Sequence, residues 1–138
     1  MHLIVCLDDR GGMLFHQRRQ SRDRAVQSDI LQMCRGEVLW MNGYSQALFS
    51  EEERSSIQTA EDFLDRAGPG EFCFVETCTV LRPYERSIEY LILYRWNRRY
   101  PSDARLDLDP AAGEWKRIGY AEFPGHSHKL ITKEVYTR

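Results

Sequence analysis

The densest chemistry in the sequence lies in Gln17-Arg18-Arg19-Gln20-Ser21-Arg22-Asp23-Arg24, which gathers Arg18, Arg19, Arg22 and Arg24 in one short segment. Guanidinium groups spaced this way can clamp a carboxylate or phosphate bidentately. A helix opening at Ser21 or Asp23 would add backbone donors and a positive dipole end. The competing reading is a solvated loop whose arginines pair with Asp8, Asp9 and Asp23, where each pair is worth little. His126 and His128 form a His-x-His pair that can offer two metal ligands. Neither they nor His16 have the companion ligands a metal hydrolase needs, so no metal is expected and the histidines after Pro124-Gly125 should lie at the surface. Ser45 lacks the flanking glycines of a nucleophile elbow, and a helix-capping role suffices for it. Arg95, Arg98 and Arg99 interleave with Tyr94, Trp96 and Tyr100, a mixture able to stack bases. The plainer reading is the polar end of a central strand and its exit loop. Asp103, Asp107 and Asp109 match no calcium loop and are expected to be solvated.

Composition narrows the function classes. A chain of 138 residues with 42% hydrophobic content suits one domain spanning 1–138 around a single core. The net charge of −2 argues against a general nucleic-acid binder, which needs a concentrated basic face to release counterions. No apolar run approaches the ~20 residues that cross a bilayer, so no membrane partner and a cytoplasmic location are expected. Cys6, Cys34, Cys73 and Cys78 form no CxxC and read as free thiols, mostly buried.

The elements that must position these residues follow from periodicity. Leu3 to Leu7 is a continuous apolar run, the pattern of a strand covered on both faces, and Asp8 to Gly12 ends it in a turn. Val26, Ile30, Met33 and Cys34 recur at helical spacing, and Gly36 closes that helix. Glu37 to Met41 reads as a second strand, followed by a turn opening a short helix through Phe49. Thr59 is expected to begin another helix, with Asp62 in a shortened capping box and Ala60, Phe63, Leu64 and Ala67 on its apolar face. Phe72 to Val75 and Ile88 to Trp96 read as buried strands, with a helix-like segment from Thr79 to Glu85 between them. Trp115 to Phe123 and His128 to Tyr136, parted by Pro124-Gly125, predict an antiparallel pair. Together these make a mixed α/β sheet flanked by helices.

The same order carries a family resemblance. LIVCLDDRGGM resembles the first strand of the dihydrofolate reductase family and the entry to its mobile active-site loop. VLWMNGYSQALF resembles its second strand and the helix start that receives a cofactor phosphate. FCFVETCTVLRPYERSIEYLILYRW follows its strand, Gly-Gly turn, helix and next strand, and WKRIGYAEFPG with HKLITKEVYTR resembles its C-terminal strand pair. The resemblance implies a dihydrofolate-reductase-like sheet truncated in the cofactor-binding half, because this chain offers only one helix between Phe49 and Phe72. Where the family's glycines let backbone approach a pyrophosphate, Glu76-Thr77-Cys78 adds side chains and a carboxylate. The family's basic residue after the phosphate-facing turn corresponds to Gly43, although Ser45 keeps a hydroxyl there. Its pterin-side carboxylate falls at Val26, with Asp23 and Asp29 about one helical turn to either side.

On this basis the expected function is that of a degenerate dihydrofolate-reductase-like protein without cofactor and without NADPH-dependent reductase activity. Its remaining cleft would bind a small anionic or nucleotide-like ligand through Arg18, Arg19, Arg22, Arg24, Tyr44 and Ser45. The alternative is an active reductase with a shortened NADPH site, in which Asp23 or Asp29 supplies the proton and Ser45 holds a phosphate. A third expectation is a homodimeric partner-binding protein, since truncating a sheet leaves an edge strand to be covered.

Overall fold

Because successive side chains on a strand face opposite ways, a strand apolar at every position must be covered on both sides. Strand β1 (His2–Leu7) is such a strand and lies mid-sheet, parallel to both β6 (Phe72–Phe74) and β7 (Tyr90–Arg95). The computed structural model describes residues 1–138. The remaining strands of the main sheet are β4 (Leu39–Met41), β5 (Ile57–Thr59), β9 (Lys116–Phe123) and β10 (Ile131–Thr137), in the order β5-β4-β6-β1-β7-β10-β9. The β4, β5, β6, β1 and β7 strands run parallel, while β10 and β9 close the sheet antiparallel, as the Pro124-Gly125 turn implies.

Alternation along β1 and β7 divides the core in two. Leu3, Val5, Leu7, Leu91 and Leu93 pack on one face with Met13, Phe63, Leu64, Leu81 and Ile88. Ile4, Ile92 and Tyr94 pack on the other with Val26 and Ile30 of helix α1 (Arg24–Met33) and with its C-cap residue, Cys34. Asp23 is the N-cap of α1, accepting from the Ala25 amide at 2.8 Å, which settles the choice between Ser21 and Asp23. All four cysteines are free, and burial pushes the Cys34 and Cys73 thiols up to about 12, leaving them inert.

Three expectations need correction. Thr59 does not begin a helix: Ile57-Gln58-Thr59 pairs with β4 as a parallel edge strand, flanked by the single turns α3 (Glu51–Arg54) and α4 (Phe63–Arg66). Three residues carry too short a period to announce a strand, and the hydrogen-bonding edge of β4 decided it. Asp62 makes no capping bond and pairs with Arg66 instead, 2.8 Å away. The segment between Phe49 and Phe72 therefore keeps a strand that the sequence reading omitted. The helix-like stretch near Pro83 is a 3-10 helix, Arg82–Ser87. Finally, the arginine segment is not an open loop throughout. Strands β2 (Gly12–Phe15) and β3 (Arg18–Arg19) form a hairpin through left-handed His16 and Gln17, joined by β8 (Ala104–Arg105) in a second small sheet.

Candidate functional site

Helix α2 (Gly43–Gln46) starts where β4 leaves the sheet, and Asn42 caps it by accepting from the Ser45 amide at 3.0 Å. The cap points the Ser45 hydroxyl inward, where it is fully buried and donates to the Glu76 carboxylate at 2.8 Å. Arg19, delivered by the hairpin, grips the same carboxylate with Nε at 2.9 Å and a second guanidinium nitrogen at 3.0 Å. Its guanidinium lies 4.2 Å from the Tyr44 ring centroid, and the Tyr44 hydroxyl accepts from the Arg19 amide. Burial pulls the Arg19 pKa down, but Glu76 outweighs it and raises it, so the ion pair is secure. Arg19, Tyr44 and Ser45 thus converge on an anion, and the anion is the chain's own Glu76, only 8% exposed. A phosphate entering here meets the Glu76 carboxylate as a like charge that already occupies Arg19 and Ser45, so the residues present do not fit one.

The other arginines of the segment do not join this cluster. Arg18, Arg22 and Arg24 are exposed and make no ion pair. Nor do they pair with Asp8 or Asp23, as the solvated-loop reading supposed. Asp8 is buried and accepts from the Gly12 amide and from Gln20 Nε2. Arg18 lines a hollow of about 630 Å³ with Phe15, His16, Arg19, Gln20 and Tyr100. A neighbouring hollow shares Phe15, Tyr100 and Pro101 and adds Arg10, Arg99 and Arg105. Arg10, Arg18, Arg99 and Arg105 have no acidic partner, so the rim is basic and its floor aromatic. Asp103, the carboxylate at this edge, accepts from the His16 amide at 3.0 Å.

The expected surface histidines are corrected at His128, which is buried. Its ring stacks on Trp96 at 4.7 Å between centroids. Its Nδ1 lies 2.8 Å from Asp23 Oδ2, and its Nε2 lies 2.7 Å from the Tyr100 hydroxyl and 3.2 Å from Ser21 Oγ. Asp23, whose side chain is wholly buried, also accepts from the amides of His126, Ser127 and His128 at 2.8, 2.9 and 3.1 Å. Burial pushes this carboxyl up, yet the His126 amide, the His128 ring and the Ser127 and Ala25 amides outweigh it and hold it well below the usual carboxylate range. A carboxylate so held accepts, so the proton between it and His128 sits on Nδ1. Gly125 makes this packing possible, since a Cβ there would sit 2.6 Å from the His128 carbonyl and 2.7 Å from Asp23 Oδ2.

Asp29 lies elsewhere on α1, accepting from the Tyr94 hydroxyl and pairing with Lys133 at 2.9 Å. Asp23 and Asp29 are therefore both engaged by the protein's own donors. Sequence reasoning missed His128, Tyr100 and Ser21 as one cluster and Glu76 as the partner of Arg19. The only local trace was the glycine before His126-Ser127-His128. No helix is long and apolar enough to cross a membrane.

The chain matches no protein-family model and no curated protein sequence. Among solved structures it is similar to dihydrofolate reductase from Enterococcus faecalis complexed with NADP(H) and RAB-propyl, with a TM-score of 0.69 and 11% identity over 99% of this chain and 95% of that one. The strand order, the helix over the central strands and this overlap together show that the chain has the mixed α/β fold of dihydrofolate reductase.

Proposed function

We propose that this protein uses the dihydrofolate reductase fold to bind a small anionic, ring-bearing ligand of the nucleotide class, and that it does not work as an NADPH-dependent reductase. The observation that carries the second half is the Glu76 carboxylate bound by Arg19 and Ser45. That is the neighbourhood where the family resemblance expects a cofactor phosphate. The hollow beside Phe15 and Tyr100 supports the first half, because unpaired arginines at its rim suit phosphate and exposed aromatic surface suits a flat ring. Phe15 is 39% exposed with His16 stacked on it at 3.9 Å, so a stacking platform already exists.

Titration with nucleoside mono- and diphosphates, pterins and NADPH, followed by Tm, tests this reading. A ligand at about ten times its Kd adds about 1.4 kcal/mol and several degrees. We expect a nucleotide to give that shift, Arg18→Ala with Arg105→Ala to abolish it, and NADPH to behave no better than a mononucleotide. A flat Tm for every anion would end the binding reading. The NADP(H) in the Enterococcus faecalis structure favours a second reading as a reductase. Loss of nicotinamide absorbance with dihydrofolate would establish that instead.

Self-association remains part of the proposal, and β9 is the strand that supports it. It has one hydrogen-bonded neighbour, β10, and Ile118 and Tyr120 are 57% and 53% exposed. Antiparallel pairing of two β9 strands about Gly119 sets Lys116 of each copy opposite Glu122 of the other and Ile118 opposite Tyr120. Both contacts are favourable. Light scattering after sizing should give a dimer mass that Glu122→Lys converts to a monomer. A monomer for the wild type refutes the pairing.

A further inference from the structure

Binding does not account for a polar cluster that shares Tyr100 with the hollow. Four groups from three separated segments meet there: Ser21, Asp23, Tyr100 and His128. Their distances follow the order that nucleophilic catalysis needs, with orienter to base at 2.8 Å, base to hydroxyl at 3.2 Å and a second hydroxyl 3.2 Å from the first. We infer that Ser21 is the nucleophile of a carboxylic-ester-cleaving site in which His128 is the base, Asp23 orients it and Tyr100 donates to the developing oxyanion.

Each role follows from contacts already described. Asp23 holds Nδ1–H of His128, while the surrounding amides keep the carboxylate charged, so it steadies an imidazolium without taking its proton. Trp96, nearly parallel to the imidazole at 19°, fixes the ring plane. Nε2 has one lone pair, and at rest the Tyr100 hydroxyl is the nearer claimant at 2.7 Å. Turning the phenolic O–H toward an oxygen on the carbon bonded to Ser21 Oγ moves no heavy atom, and it frees Nε2 for the serine proton. Gln20 and Tyr100 border the hollow, and Ser21, the next residue after Gln20, is half-buried, so an ester lying there must reach Ser21 past Gln20 and Tyr100.

The chemistry balances with water as the only co-reactant. Ser21 Oγ attacks the ester carbonyl carbon as its proton passes to His128 Nε2, and the carbonyl oxygen becomes an oxyanion facing Tyr100. Collapse breaks the bond to the alcohol, which leaves with the proton from Nε2 and yields acyl-Ser21. Water, losing a proton to Nε2, then attacks the acyl carbon. Ser21 leaves with that proton, and the carboxylic acid is released. Arg18 on the same hollow favours esters carrying a negative group. This charge preference rests on the proposed binding reading, whereas the reactive cluster does not.

A neutral fluorophosphonate probe separates the two, because it needs no anion site. Intact mass and peptide mapping should show one adduct, on Ser21, absent from Ser21→Ala. The rate should fall about 100-fold or more in His128→Gln. Ser21→Ala removes only a peripheral hydroxyl and keeps the fold, as its circular dichroism and Tm will report, so loss of labelling in it is informative even if His128→Gln unfolds. No adduct on the folded wild type, or equal labelling of Ser21→Ala, overturns the assignment whatever the nucleotide titration shows.

Discussion

Replacing Glu76 with alanine is expected to lower stability by about 3 kcal/mol and to open an anion site that the wild-type chain keeps filled. Arg19 is largely enclosed and gives two of its three guanidinium bonds to this carboxylate, the third going to the Tyr44 carbonyl, and Ser45 is fully buried with Glu76 as its acceptor. Removing the carboxylate leaves an enclosed cation without its counter-charge and a buried hydroxyl without its acceptor, which costs more than the pair itself contributed. The same vacancy is lined by donors at carboxylate spacing, so inorganic phosphate should satisfy them. Phosphate is therefore expected to raise the Tm of Glu76→Ala by several degrees more than that of the wild type. Arg19→Ala added to Glu76→Ala should erase the difference. Equal phosphate response in wild type and variant would show that Glu76 does not stand in an anion's place.

Asp23→Ala is expected to destabilise the fold by about 4 kcal/mol or more, measured as a fall in urea midpoint. The amides of Ala25, His126, Ser127 and His128 and the His128 ring all lose an acceptor at once in a site without solvent. Asp23→Asn is expected to recover little, since its NH2 would face the amides that now donate to the second carboxylate oxygen. The carboxyl's lowered pKa also fixes a pH dependence. The unfolded chain takes up the proton more readily than the folded one. The stabilisation is therefore complete above the ordinary aspartate value of about 3.9 and drains away as pH falls through that value toward the lower folded one. Urea midpoints between neutral pH and about pH 3 should show this acid-side loss in the wild type and a shallower one in Asp23→Asn. Parallel slopes for the two would refute the assignment.

The two effects share an architecture. In each, a carboxylate is delivered from one part of the chain to donors far away in sequence: Glu76 to Arg19, 57 residues apart, and Asp23 to His128, 105 apart. The first closes a place where a ligand's charge would enter. The second pins the segment before α1 to the loop between β9 and β10, and with Tyr100 and Ser21 it builds the reactive cluster. A fold that resembles a reductase can thus hold different chemistry, because function resides in the side chains at the site.

How much of this was legible varies with the range of the interaction. The apolar run Leu3 to Leu7, the helical spacing of Val26, Ile30 and Cys34, and the strand pair around Pro124-Gly125 each announce themselves, because a strand or helix covered by a core imprints its period on its own residues. Those signals determined the α/β class, the burial of β1 on both faces and the antiparallel close of the sheet. Only the tertiary structure decided that Ile57-Gln58-Thr59 would pair as β5, that His128 would be buried on Trp96, and that Arg19 would hold Glu76. A three-residue strand depends on a neighbour's free edge, and a buried polar group depends on a partner brought near by folding. Neither requirement leaves a pattern in adjacent positions, so the scaffold was written locally while the site was assembled at a distance.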